Sequence, residues 1–303
     1  MSHFAVTILG SNSALPAYGR HPSSQYINIH ASTLLMDCGE GTQFRMKSFK
    51  CSPMKLDYIF ISHLHGDHVF GLPGLLTSFI LLRRTEPLTL IGPAGIKGFI
   101  ETIFKYTYTT LPFELIIIET NPEVSQLVFE NNDFQAISIP LDHSIPCNGY
   151  LFKEKPGPYN IDKSIITEYQ LTYVDIIQIK EGKRVETIKG WLEPSHALFQ
   201  KRKSISYAYC SDTTLKPDLV NLLSGTEVIY HETTYENALL EKARSRKHSV
   251  SQDAAFIAKN CGAEMLIIGH LSSKYPTHID ILNECKEIFP ETYYAYEGST
   301  FIL

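Results

Sequence analysis

No stretch of the 303 residues reaches the ~18 continuous apolar residues that a membrane helix needs. The opening residues, MSHFAVTILGSNS, show no basic n-region and no small-residue cleavage site, so they do not read as a secretory signal, and Phe4–Leu9 reads as a first strand. Cysteine is sparse: Cys38, Cys51, Cys147, Cys210, Cys261 and Cys285 are scattered, and none forms a CxxC pair. That excludes a disulfide scaffold and a thiolate zinc ribbon, and free thiols fit a reducing, cytoplasmic setting. Positive charge is not in excess either. A net charge of -5 excludes a surface coated for nucleic acid, though not a local basic groove. Tryptophan occurs once, at Trp191.

What is present is an ordinary globular balance, 44% apolar and 19% charged, long enough for one large domain or two small ones. Short runs rich in Ile, Val, Tyr and Phe read as strands: Phe4–Leu9, Gln25–Ile29, Thr33–Met36, Leu56–Ile61, Leu88–Ile91, Leu115–Ile118, Phe134–Ile139, Ile205–Tyr209, Val228–Tyr230 and Met265–Ile268. Helical spacing recurs in PAGIKGFIETIFKY, with Pro93 near its start. It recurs in SVSQDAAFIAKNCG, with Ser249 or Ser251 as cap and Gly262 as stop, and in THIDILNECKEIF after Pro276. Strands alternating with helices predict an α/β layered domain.

Residues 153–203 break this rhythm. The segment starts with KEKPGPYNIDK, ends with QKRK, carries charges of both signs and shows no repeat. It reads as an insertion or protruding arm within a single domain spanning 1–303, the alternative being an ordinary connection with a helix and a hairpin.

Five apolar runs end in residues able to bind metal or move protons: His63, His143, Asp212, His231 with Glu232, and His270. If the runs are neighbouring strands pointing one way, their ends gather on one rim, where open α/β sheets bind ligands. The densest end is SHLHGDH. Residues two apart on an extended segment share a side, so His63 and His65 can grip one ion, and Asp67 and His68, beyond the turn at Gly66, a second. Alone, His143 reads as a capping or surface histidine, Asp212 as a turn or cap, and His270 as a core histidine. Together they complete the cluster: His63, His65 and His143 at one ion, Asp67, His68 and His270 at the other, Asp212 between them. Five imidazoles and two carboxylates without thiolate suit Zn²⁺, with Mn²⁺ or Fe as alternatives. Two ions ~3.5–4 Å apart can generate hydroxide at neutral pH and clamp both oxygens of a displacement.

The HxHxDH cluster followed by single His, Asp and His residues resembles the metallo-β-lactamase fold. LLMDCGEGTQFRM (34–46), FISHLHGDHVFGLPGLL, YCSDTT (209–214), YHETTY (230–235), KHSVSQDA (247–254) and LIIGHLSSKY (266–275) resemble, in order, the motifs of one family within it, tRNase Z, which processes tRNA 3′ ends. The resemblance implies an αββα sandwich of two packed β-sheets with outer helices and a protruding arm. It implies the ligand set just given, with two Zn²⁺ per subunit. It gives Asp67 the task of orienting or deprotonating the attacking water, and His248 that of proton donor to the leaving oxygen. Glu232 could hold His248 in place, as carboxylates behind a site often do. Gly157 and Pro158, in the Pro-Gly-Pro of the arm, and Arg20, in the loop PAYGRHPSSQY, match substrate-binding positions.

Independently of any resemblance, Lys242, Arg244, Arg246 and Lys247 precede His248 and could meet phosphates beside the scissile bond. Equally, they could be the solvated end of a helix. The resemblance thus implies a zinc endoribonuclease that cuts the 3′ trailer from precursor tRNA by hydroxide attack, leaving a tRNA 3′-hydroxyl and a 5′-phosphate trailer. A homodimer is expected, with no membrane and no organic cofactor. The alternatives are a small-molecule phosphodiesterase or thioester hydrolase of the same fold, and an inactive RNA-binding protein.

Overall fold

The apolar runs pair into two seven-stranded sheets. In this computed structural model, residues 4–157, 159–199 and 203–303 are described. The first sheet holds β1 (Phe4–Gly10), β2 (Ser24–Ile29), β3 (Ser32–Met36), β4 (Tyr58–Phe60), β5 (Leu88–Pro93), β6 (Leu115–Thr120) and β18 (Thr300–Ile302), in the order β18-β1-β2-β3-β4-β5-β6. The second holds β7 (Gln126–Glu130), β8 (Phe134–Pro140), β9 (Asn148–Glu154), β14 (Ser206–Cys210), β15 (Val228–Glu232), β16 (Met265–Gly269) and β17 (Thr292–Tyr294), in the order β17-β16-β15-β14-β9-β8-β7.

Alternation along the strands sends one set of side chains between the sheets. Phe4, Val6, Ile27 and Phe60 meet Phe134, Phe152, Tyr207 and Tyr230 there. Phe60 and Phe152 pack edge to face at 5.0 Å. The opposite faces are apolar too and are covered by helices, as parallel strands require. On the first sheet these are α1 (Thr42–Ser48), α2 (Gly66–Val69), α3 (Leu72–Leu81) and α4 (Ile96–Tyr106). On the second they are α8 (Leu219–Leu222), α9 (Leu240–Ser245), α10 (Ser251–Cys261) and α11 (Ile279–Ile288). This is the αββα sandwich of the metallo-β-lactamase fold.

Residues Lys155–Ser204 form a second compact unit. It contains α5 (Lys163–Glu168), α6 (Tyr173–Lys180) and α7 (Pro194–Ala197), with β10 (Asn160–Ile161) paired to β13 (Leu198–Phe199) and β11 (Val185–Thr187) to β12 (Gly190–Leu192). Leu171, Ile179, Val185, Leu192 and Ala197 make its own small core. A capping box starts α6, Thr172 and Asp175 exchanging side-chain and backbone bonds. Lys153 and Glu154, expected in the insertion, are instead strand residues paired with Gln135 and Phe134.

Several local expectations change. Pro93 ends β5, and the cap of α4 is Gly95 at φ 99°. Neither Ser249 nor Ser251 caps α10: Val250 holds that position, its N–H donating to Asp253 Oδ2 at 2.9 Å. Ser249 donates instead to the Thr213 carbonyl at 2.7 Å. Gly262 does end the helix, in the left-handed conformation at φ 72°.

Candidate metal centre

The five strand ends do not share one sheet. His143, Asp212, Glu232 and His270 stand on or just beyond β8, β14, β15 and β16, which run the same way in the second sheet. His63 follows β4 of the first sheet. The centre therefore forms where the carboxyl ends of two packed sheets meet. His231 is excluded from it. It is fully buried, its Nδ1 donates to the Glu232 carbonyl at 2.8 Å, and its Nε2 finds no partner among the described residues.

Two four-donor groups assemble, each with all its ligating atoms within 4.8 Å of one another: His63, His65, His143 and Asp212; and Asp67, His68, Asp212 and His270. Asp212 belongs to both. His63 Nε2 and His143 Nε2 each lie 3.1 Å from His65 Nδ1. Asp212 Oδ2 is 3.8 Å from both His63 and His143 Nε2. In the second group, His270 Nε2 lies 3.4 Å from Asp67 Oδ2 and 3.2 Å from Asp212 Oδ1.

The atoms behind the ligands fix which nitrogen faces inward. His68 Nδ1 donates to Asp37 Oδ2 at 2.7 Å, His143 Nδ1 to the Lys247 carbonyl at 3.0 Å, and His270 Nδ1 to Thr234 Oγ1 at 2.9 Å. Each turns its Nε2 toward the cluster. Asp37 also accepts from the Ser62 amide at 2.7 Å, the Ser62 hydroxyl at 2.9 Å and the Tyr209 hydroxyl at 2.9 Å. Asp37, in the DCGEGTQ stretch, is a site residue to which the motif resemblance assigns no role. A fully buried carboxylate at a strand end is the signal that could have found it. Gly39 in the same stretch admits no side chain, because a Cβ there would collide with the Asp67 carbonyl oxygen.

These donors fit divalent metal ions. Asp212 Oδ1 is buried without a hydrogen-bond partner among the described residues, although His68 and His270 Nε2 stand 3.5 and 3.2 Å away. Imidazole nitrogens and carboxylate oxygens converge on shared points, His65 Nδ1 lying 3.1 Å from both His63 and His143 Nε2 and His270 Nε2 3.4 Å from Asp67 Oδ2. Burial would lower His68, but the Asp212, Asp67 and Asp37 carboxylates outweigh it and hold it well above the usual range. Burial and the neighbouring imidazoles push His63 the other way.

Glu232 lies at the second layer of this network. It is fully buried. Its Oε1 accepts from His248 Nδ1 at 2.8 Å and from the Thr213 and Ser249 amides at 3.1 Å each. Its Oε2 accepts from the Thr234 amide at 2.9 Å and hydroxyl at 2.7 Å. Burial would raise its pKa, but the His248 charge and these bonds hold it at about 2. In return, against its own burial, Glu232 lifts His248 to about 9.

His65, Asp67, His143, Asp212 and His270 line an open cavity of about 680 Å³ that also meets His248, Arg246, the loop Ser13–Leu15, Thr234, Tyr235, Ser272 and Ser273. Of the cations expected near phosphate, Arg244 is held by two 2.7 Å bonds to Asp253. Lys247 is held by Asp142 at 3.0 and 3.2 Å. Arg246 has no side-chain partner among the described residues. Arg20 does not line this cavity. Gly157 is exposed in the second unit, and Pro158 lies outside the described residues.

A family model described as anti-Pycsar protein Apyc1 matches residues 4–104. Ribonuclease Z of Bacteroides thetaiotaomicron is 35% identical over 299 residues, 98% of this chain and 95% of that one. Ribonuclease Z of Cytophaga hutchinsonii is 39% identical over 300 residues, 98% and 96% of the two chains. Among solved structures, human tRNase Z, short form, superposes with a TM-score of 0.71 at 25% identity over 99% of both chains. The metallo-β-lactamase fold protein YhfI of Bacillus subtilis gives 0.69 at 18% over 98% of both, a likeness of fold. Identity at this level over nearly the whole of both chains places the chain in the ribonuclease Z family.

Proposed function

We propose that this chain is a zinc-dependent endoribonuclease that removes the 3′ trailer of precursor tRNA. The observation that carries the reading is the Glu232–His248 pair, set beside two donor groups that share Asp212, in one cavity of a ribonuclease Z family chain.

His63, His65, Asp67, His68, His143, Asp212 and His270 would hold two Zn²⁺ or Mn²⁺ ions, which would supply Lewis acidity to water and phosphate. The chain's own residues do the rest. Asp67 presents a carboxylate at the cavity wall, orients the attacking water and accepts its proton. Arg246, free of a counter-ion among the described residues, holds a phosphate oxygen. His248 is tethered at Nδ1 by Glu232, so its proton-bearing Nε2 is left for the leaving group. As water oxygen bonds to phosphorus, the P–O3′ bond breaks and the Nε2 proton passes to O3′. The products are a tRNA 3′-hydroxyl and a trailer 5′-phosphate.

The Lys155–Ser204 unit is assigned to gripping the tRNA body. Its exposed Trp191, with the Arg184 guanidinium 4.7 Å from the ring centroid, supports an RNA-facing role. A homodimer lets one subunit's arm hold a tRNA cut by the other. End-mapping of products from zinc- or manganese-loaded protein and one precursor tRNA tests the reading. No cleavage, or a cyclic phosphate at the new 3′ end, would overturn it.

A further inference from the structure

Arg20 was expected to meet substrate, yet it lines a different cavity. Ser13–Leu15 of its loop border the metal cavity, whereas Ser11, Gly19 and Arg20 border a second one of about 300 Å³. There Arg20 Nε donates to Asn12 Oδ1 at 2.8 Å and an Nη donates to the Tyr275 carbonyl at 2.6 Å. Both acceptors are neutral, so the guanidinium charge has no counter-ion among the described residues. Glu297, the acid in the cavity, is already committed. It pairs with Arg45 at 2.8 Å and accepts from the His21 amide at 2.5 Å, His21 Nδ1 at 2.9 Å and the Ser11 amide at 3.4 Å.

The facing wall is aromatic. His278 and Tyr294 stack at 4.1 Å with planes 9° apart, and Tyr296 stands edge-on to both at 4.8 Å. The Tyr296 hydroxyl lies 2.6 Å from His278 Nε2, which anchors the ring while 54% of the residue stays exposed. An uncompensated guanidinium beside an anchored, open ring is the chemistry that takes a nucleotide: phosphate on the cation, base on the ring.

We propose that this cavity is a subsite for one unpaired nucleotide of the RNA, its phosphate at Arg20 and its base against Tyr296. The inference rests on the ribonuclease reading above and adds a contact outside the metal cavity. The nucleotide could come from the trailer or from the tRNA side of the cut, and the test separates them. Precursors with one-nucleotide and twelve-nucleotide trailers are cleaved by wild type, Tyr296→Ala and Tyr296→Phe. Loss of a stacked base is expected to raise KM roughly 5- to 100-fold in Tyr296→Ala with kcat held, and Tyr296→Phe, which keeps the ring, should restore most of it. A rise confined to the long trailer assigns the nucleotide to the trailer; an equal rise with both assigns it to the tRNA side. KM within twofold of wild type for both substrates overturns the subsite. Calorimetric titration with uridine 5′-monophosphate separates this from the ribonuclease reading. Weaker binding to Tyr296→Ala than to wild type supports the subsite even if no precursor is cleaved, and equal binding by both proteins counts against it.

Discussion

Glu232 Oε1 lies 2.8 Å from His248 Nδ1, while Glu232 Oε2 accepts the Thr234 hydroxyl whose oxygen in turn accepts from His270 Nδ1 at 2.9 Å. One buried carboxylate thus orients the proposed proton donor directly and a metal ligand through a single hydroxyl. Glu232→Gln should therefore lower kcat and also weaken metal binding about 10-fold or more. His248→Ala should slow the chemical step by about 100-fold or more and leave the metal content at the wild-type value. Single-turnover cleavage and metal analysis of both proteins check the contrast. Loss of zinc from His248→Ala would assign that histidine to the metal centre.

Asp67 has two tasks in the proposed mechanism, ligand and water handler. Asp67→Ala should cut turnover by about 100- to 10,000-fold while precursor tRNA still binds. Filter binding beside the cleavage assay measures both. Equal loss of the two would make Asp67 a structural residue.

The Glu232–His248 pair carries a pH signature. His248 is raised from 6.5 to about 9 by Glu232 despite burial. Its stabilising contribution is complete below pH 6.5 and fades as pH climbs through about 9. Glu232 is depressed from 4.5 to about 2, so its contribution is complete above pH 4.5 and fades as pH falls through about 2. The two are fully expressed together between pH 4.5 and 6.5. In chelated protein, His248→Ala should lower Tm most inside that window and least above pH 9. A deficit independent of pH would mean that His248 acts by packing alone.

Asp37 accepts from four donors at full burial and sits at φ 57°, a conformation that asparagine tolerates. Asp37→Asn keeps the backbone and shape but places an NH₂ or a neutral oxygen where the donors need a carboxylate. Metal affinity should fall about 10- to 100-fold, with His68 released from its tautomer. Zinc titration against a competing chelator reads this directly.

The strand ends that flank the second unit are bonded to each other, the Glu154 amide to the Ile205 carbonyl and the Ile205 amide to Glu154 Oε2, both at 2.9 Å. A short turn can therefore replace residues 155–204 without opening the second sheet. The deleted protein should hydrolyse bis(p-nitrophenyl) phosphate at about the wild-type rate and lose most precursor tRNA cleavage. Unchanged tRNA cleavage would remove the arm assignment and favour a small-molecule phosphodiesterase.

Strands with dense β-branched and aromatic residues were legible in the sequence, as were α4, α10 and α11 from their spacing. Strand β9, NGYLFKE, was not: its apolar core is short, and the partners that make it a central strand lie in Phe134–Pro140 and Ser206–Cys210. The seven candidate ligands were legible together because His63, His143, Asp212 and His270 follow strands and His65, Asp67 and His68 crowd one turn after β4. The partnership of the basic residues could not. Arg244, Arg246 and Lys247 look equivalent in a row of letters, and only tertiary contacts with Asp253 and Asp142 consume two of them. Arg20 shows the same limit, since which cavity it faces depends on Asn12 and Tyr275.

His63, His65, Asp67 and His68 belong to the half of the molecule built on the first sheet, and His143, Asp212 and His270 to the half built on the second. An ion bound by both halves is a rivet as well as a reagent. By mass action, a metal at 100 times its dissociation constant adds about 2.7 kcal/mol to folding stability. Scarcity of the metal then costs the cell twice. It should idle the enzyme, and it should loosen the seam between the sheets, which a lower Tm after chelation would read.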